Sequence, residues 1–225
     1  MTFRQFLALE LAVFLSANPS AARPPVLGVV VEANRVHVNT GEVSAGATVY
    51  DGDHFTTDAG GMLVLRGEGI TLELVEESAL AVRSKTDGEL GAEAEFTKGT
   101  LIFSAERAAA LEINVLGARV NPIADTRTIG QVTIVEPKEL RIYAKRGSLQ
   151  FSYRGETEKI AEGAAFRVIL DPPDDQPEKQ EATKTGRKRK AFLLIAIAAG
   201  AAGGSVFAYE RDHHHRKPVE SPDRP

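Results

Sequence analysis

The sequence contains no cysteine, which excludes disulfides, thiolate metal sites and the lipid-modified cysteine of a bacterial lipoprotein. It has no strong excess of either charge: 27 Lys and Arg stand against 31 Asp and Glu, a net −4. That balance argues against a nucleic-acid binder, which would show a basic face or a marked positive excess. No serine sits in a nucleophile-elbow context, and no glycine loop precedes a helix as a phosphate cradle requires. Helical periodicity is nearly absent between the two ends of the chain. Long hydrophobic runs are equally scarce.

One such run stands out. Ala191 to Tyr209 is a nineteen-residue stretch without charge, flanked by Arg187-Lys188-Arg189-Lys190 and by Glu210-Arg211-Asp212. Its length suffices for one helical crossing of a bilayer. Within it Ala196, Gly200 and Gly204 fall one helical turn apart, a small-residue stripe suited to self-association of the helix. The basic residues before the run, with Lys184, suit lipid phosphates, and His213-His214-His215 fall in a short polar tail, residues 210–225. At the other end, residues 1–22 resemble a secretory signal. Arg4 supplies the n-region, Phe6 to Ala17 the apolar stretch, and Ser20-Ala21-Ala22 a small-residue cleavage site, with Glu10 weakening the pattern. Export would place the intervening domain outside the cell. The basic flank on the N-terminal side of the run favours the opposite orientation.

Between these ends the apolar residues alternate with period two, the mark of half-buried strands. Ile70, Leu72 and Leu74 alternate with Thr71 and Glu73; Leu111, Ile113 and Val115 with Glu112 and Asn114; Leu149, Phe151 and Tyr153 with Gln150 and Ser152. Turn residues punctuate them, among them Asp51-Gly52-Asp53, Gly60-Gly61, Gly147, Gly155 and Gly163. Only Ala105 to Ala110 suits a turn of helix. The expected architecture is all-β, a sandwich, roll or short solenoid over residues 26–170, followed by a single transmembrane helix at 191–209. Asp171-Pro172-Pro173 closes the domain because proline lacks an amide donor, and residues 171–190 form a polar, basic linker.

The segment Gly46-Ala47-Thr48-Val49-Tyr50-Asp51-Gly52-Asp53-His54-Phe55-Thr56-Thr57 resembles the signature of FecR-like domains. The succession Met62 to Leu65, Ile70 to Leu74 and Glu77 to Val82 fits too, as do later glycine turns at Gly147 and Gly163. The resemblance spans about residues 28–170. It implies an all-β extracytoplasmic domain with no enzymatic activity, in which Gly52, Asp53, Thr57, Gly147 and Gly163 are structural turn residues. Regulators of the ferric citrate type carry a cytoplasmic anti-sigma segment and a span before this domain. Here a signal-like stretch precedes it and the apolar run follows, so no anti-sigma activity is expected.

Asp51, Asp53, His54 and Asp58 could supply ligands to a divalent ion, but Asp51 and Asp53 bracket Gly52 as a turn would. They also lack the ligand alternation of a calcium loop. Glu76 and Glu77 read as a solvated turn, and His37 as an outward strand residue. The expectation is a non-catalytic binding, sensing or signalling module of the bacterial envelope, with no cofactor or metal. It would be single-pass, with its globular part outside, partnered by the membrane and by an envelope protein or ligand, and able to self-associate through its helix. The alternatives are an envelope scaffold pairing through strand edges, or a metal-assisted hydrolase using Asp51, Asp53 and His54.

Overall fold

The computed structural model describes residues 24–85, 91–172 and 191–198. The signal-like stretch, most of the linker, the latter part of the apolar run and the tail lie outside the described residues. Among the described residues, sixteen strands make one sheet. The chain opens with β1 (Val26–Val38), β2 (Gly41–Glu42), β3 (Thr48–Tyr50) and the long β4 (His54–Gly67). Then come β5 (Ile70–Leu74), β6 (Ala79–Ser84), β7 (Ala92–Lys98), β8 (Thr100–Ala105), β9 (Leu111–Val115) and β10 (Ala118–Pro122). The last are β11 (Thr128–Glu136), β12 (Glu139–Arg146), β13 (Leu149–Tyr153), β14 (Glu156–Ile160), β15 (Ala165–Leu170) and β16 (Phe192–Ile197). Helix is confined, among the described residues, to a short 3-10 turn at Ala108–Ala110 inside the segment expected to hold one.

The topology turns on β4. Its first residues, His54–Thr56, pair with β6, and its last, Leu63–Gly67, pair with β5, while β1 runs along both portions. Between them the register of β1 jumps from Asn34↔Met62 to Val36↔Thr57. Glycine is required at this corner: Gly60 has φ +68, and a Cβ on Gly61 would stand 2.8 Å from the Arg35 carbonyl oxygen. A bulge with paired glycines lets a ribbon bend sharply without losing its ladder. Two arms therefore leave β4, one through β6, β7, β9, β10, β13 and β14, the other through β5, β8, β11, β12, β15 and β16. Among the described residues every pairing is antiparallel except β7 with β9.

The arms curl over one core. Phe55, Phe96, Phe103, Phe151, Leu72, Leu80, Ile113 and Leu140 are all buried in the same cluster, each worth about 1.5–3 kcal/mol of burial. The expected alternation holds, since Leu111, Ile113 and Val115 are buried while Glu112 and Asn114 are only partly covered. The far ends of the arms meet as well. Phe151 of β13 packs edge-on against Phe192 of β16 with ring centroids 4.8 Å apart.

That contact corrects the expectation for the apolar run. Phe192–Ile197 is a strand, antiparallel to β15 from Leu170↔Phe192 to Ala165↔Ile197, and not the first turns of a helix. Among the described residues no helix is long and apolar enough to cross a membrane. The sheet also extends past Leu170, where the sequence suggested that it closes. The physical reason is the free edge of β15: extended, these residues turn Phe192 and Leu194 onto the core and satisfy a row of backbone groups. Ala196, expected on a helical stripe, is an exposed strand residue; Gly200 and Gly204 lie outside the described residues.

Candidate functional site

The signature turn is a hydrogen-bonded knot. Gly52 sits at φ +86, which an L side chain rarely adopts, and its amide donates to Val82 O at 2.9 Å. Asp51 Oδ1 accepts from the amide of Ser84 at 2.6 Å and from its hydroxyl at 3.0 Å. Asp53 Oδ2 accepts from the Tyr50 amide at 2.8 Å, and its Oδ1 from Asn39 Nδ2 at 3.2 Å. Asn39 Oδ1 in turn accepts from the His54 amide. Carboxylates used in this way cap backbone donors, as short acidic side chains at turns commonly do.

Thr57 continues the knot inward. It is buried; its hydroxyl donates to Val75 O at 2.6 Å and accepts from the Ser78 amide at 2.9 Å. Ser78 Oγ accepts from the Thr100 amide at 2.9 Å. Gly99, at φ +88, lies so close that a Cβ there would approach Ser78 Oγ to 2.2 Å. The later turns are simpler. Gly147, at φ +72, donates to Glu162 Oε2, and Gly163, at φ +76, donates to Ala144 O.

The candidate metal ligands are not gathered. Asp58 lies 3.7 Å from His37 Nδ1, while Asp51 and Asp53 serve the turn. No group of three or more His, Asp or Glu suited to a metal occurs among the described residues.

Three other surfaces carry polar groups that the sequence did not bring together. On the first arm a shallow cleft of about 460 Å³ is lined by Arg83, Glu93, Glu95, Thr97 and Asn114. Its charges are internally engaged, Arg83 with Glu95 at 3.3 Å and Glu93 with Asn114 Nδ2. On the second arm Glu73 is paired between Val64 and Ile102, and the same row continues through Gln131, Tyr143, Ala165 and Ile197. Although these residues face away from the main core, Glu73 is only 8% exposed. Burial, and then the negative charge of Glu32, push its carboxyl up to about 7. Gln131, fixed through Nε2 to Thr133 Oγ1, leaves its buried Oε1 without a partner.

The third surface is the seam between the arms. Asp171 receives the Tyr153 hydroxyl at 3.0 Å and pairs with Arg154 at 2.7 Å. Burial and the hydrogen bond to Asp171 raise the Tyr153 phenol above its ordinary value. The Asp171 amide donates to Ala191 O at 2.9 Å, and the Ala191 amide to Glu156 Oε2 at 3.2 Å. The two outer strands of the sheet differ in chemistry. β14 carries Glu156, Glu158 and Lys159, whereas β16 reads Phe-Leu-Leu-Ile-Ala-Ile, with Ile195 38% exposed.

No protein-family model matches the sequence. No curated protein is significantly similar to it either. Among solved structures, two crystal structures of a candidate anti-sigma factor from Parabacteroides distasonis ATCC 8503, at 1.65 and 2.50 Å resolution, are similar. They give TM-scores of 0.46 and 0.48 at 12% and 11% identity. The matches cover 70% of this chain and 64% and 63% of theirs, so the chain spans less than two thirds of that protein's length. Likeness of this degree transfers no residue role, ligand or partner.

Proposed function

We propose that this chain is a non-catalytic binding and signalling module of the FecR-like type, exported to the bacterial envelope and held at the membrane by the run Ala191 to Tyr209. One observation carries the non-catalytic part of this reading. Oδ1 of Asp51 and both oxygens of Asp53, the side chains with the best claim to chemistry, accept from the Ser84, Asn39 and Tyr50 donors of one turn. A carboxylate so used holds strands in place and has little left for a metal or a proton in flight. The export part rests on the signal-like residues 1–22; the anchoring part rests on the uncharged run and requires Phe192–Ile197 to leave the edge of β15.

Calorimetric titration of the full chain with Ca²⁺ and with Zn²⁺ tests the non-catalytic part, with His54→Ala beside it. That substitution removes an exposed imidazole and leaves the hydrogen bond from the backbone amide in place. Neither ion should saturate a site. Stoichiometric binding lost in His54→Ala would revive the hydrolase alternative.

A scaffold role has one observation in its favour, the uncharged outer strand β16. Edges of this kind accept strands from partners, whereas charged edges such as β14 discourage pairing.

A further inference from the structure

On the outward face of the second arm one cross-strand row joins β1 to β11. Glu32 pairs with Val64, Val64 with Glu73, Glu73 with Ile102 and Ile102 with Gln131. Hydrogen-bond acceptors and branched apolar side chains therefore alternate strand by strand. Leu63, Leu72, Leu101 and Val132, the neighbours of these residues along their own strands, lie in the main core, so the row points away from it.

Two of the acceptors are buried without donors. Glu73 and Gln131 are each 8% exposed. Among the described residues no hydrogen bond or ion pair engages the Glu73 carboxyl, and Gln131 Oε1 has no partner. A buried polar group left in this state costs about 1–3 kcal/mol, and more when it is charged. Glu32, at the outer end of the row, is exposed and of like sign. The other charged groups on this side do not offset Glu73 either: Arg66 of β4, one pair along from Val64, is exposed and makes no ion pair with it, and Arg127 is engaged with Ser104 of β8. The row thus lacks cations and donors, which a ligand can supply.

The spacing narrows the ligand class. Neighbouring strands stand about 4.8 Å apart, so Glu32, Glu73 and Gln131, each two strands from the next, repeat at about 9.6 Å. Amine nitrogens joined by six methylenes stand about 9 Å apart when extended. We propose that this row is a seat for a linear alkyl polyamine, its ammonium groups taken in turn by Glu32, Glu73 and Gln131 and its methylenes by Val64 and Ile102. The assignment rests on the binding-module reading above and gives that module a ligand class. Gln131 Oε1 turns outward about the terminal torsion of the amide, which is soft. Each ammonium then makes a charge-assisted hydrogen bond, and the stem covers apolar surface.

The test is calorimetric titration of the full chain with bis(hexamethylene)triamine in about 0.15 M salt. Spermidine, with its three amines set three and four carbons apart, and n-hexylamine, with one, are the comparisons. The expected result at pH 8 is a single saturable site, at least about tenfold tighter for bis(hexamethylene)triamine than for either comparison. Affinity should fall about tenfold at pH 6, as Glu73, whose carboxyl is pushed up to about 7 by burial and then by Glu32, takes its proton. Glu73→Gln should lose about tenfold at pH 8 and the pH dependence with it. Gln131→Leu should lose about threefold and keep the pH dependence. Circular dichroism of both variants matching the parent assigns these losses to the seat. Absence of saturation, spermidine or n-hexylamine binding as tightly, or affinity unchanged in either variant overturns the proposal. That failure leaves the module reading standing, whereas stoichiometric metal binding in the titration with Ca²⁺ and Zn²⁺ removes the reading itself.

Discussion

Replacing Glu73 with glutamine should stabilise the protein at alkaline pH and not at acidic pH. Glu73 lies mid-sheet between Val64 and Ile102, and its carboxyl is pushed from 4.5 to about 7 by burial and secondarily by Glu32. A group whose pKa is raised on folding binds its proton more tightly in the folded state. Its contribution is therefore complete below pH 4.5 and is lost as pH rises through 7. The displacement corresponds to about 3 kcal/mol, an upper limit because part of the carboxyl still meets solvent. An amide of the same shape carries no such charge. Glu73→Gln should exceed the parent by about 1–3 kcal/mol at pH 8.5, or roughly 3–10 °C in Tm for a chain of this size, and match it near pH 4.5. The assay is thermal unfolding by circular dichroism from pH 4.5 to 8.5. Glu32→Gln removes the smaller cause and should displace the transition only part of the way. Parallel pH profiles for the parent and Glu73→Gln across this window would refute the reasoning, because carboxylates common to both would then account for the dependence.

Further substitutions at three positions probe the knot and the outermost strand of the second arm. Thr57→Val keeps the shape but strips the partners from Val75 O and the Ser78 amide, and should cost about 1–3 kcal/mol in denaturant unfolding. Thr57→Ser should recover most of that loss. Gly99→Ala forces a Cβ into Ser78 at φ +88; chemical denaturation should show a loss of about 2–4 kcal/mol. Phe192→Ala removes the ring seated against Phe151 and should cost about 3–5 kcal/mol in thermal unfolding. No change in unfolding midpoint would mean that this strand is not part of the folded domain.

The strands were legible in the sequence wherever one face meets the core and the other meets water. Leu149, Phe151 and Tyr153 are buried while Gln150 is exposed, as their alternation suggested. Glu73 shows where alternation stops informing. Its neighbours Ile70, Leu72 and Leu74 place it on the opposite face, but its burial depends on strands paired from distant parts of the chain. Periodicity along one strand carries no information about them. The signature turn was recognisable from Asp51-Gly52-Asp53, whereas the donors it satisfies, Ser84 and Asn39, are set by register. The second arm's outermost strand was hidden for a different reason. Hydropathy does not distinguish six apolar residues at a sheet edge from the start of a membrane helix, and only the unpaired edge of β15 decides between them. Asp171, read as a stop before two prolines, gains a second use at the seam through Tyr153 and Arg154.

The central claim is that an all-β domain is exported and tethered from behind. It is tested most directly by topology in cells, using reporters fused after Pro225 and inserted in the spacer near Glu181, together with sequencing of the mature N-terminus. The claim requires the spacer reporter outside, the C-terminal reporter inside and a chain beginning at Arg23. A spacer reporter inside, with Met1 retained, would contradict it and leave a tail-anchored domain facing the cytosol.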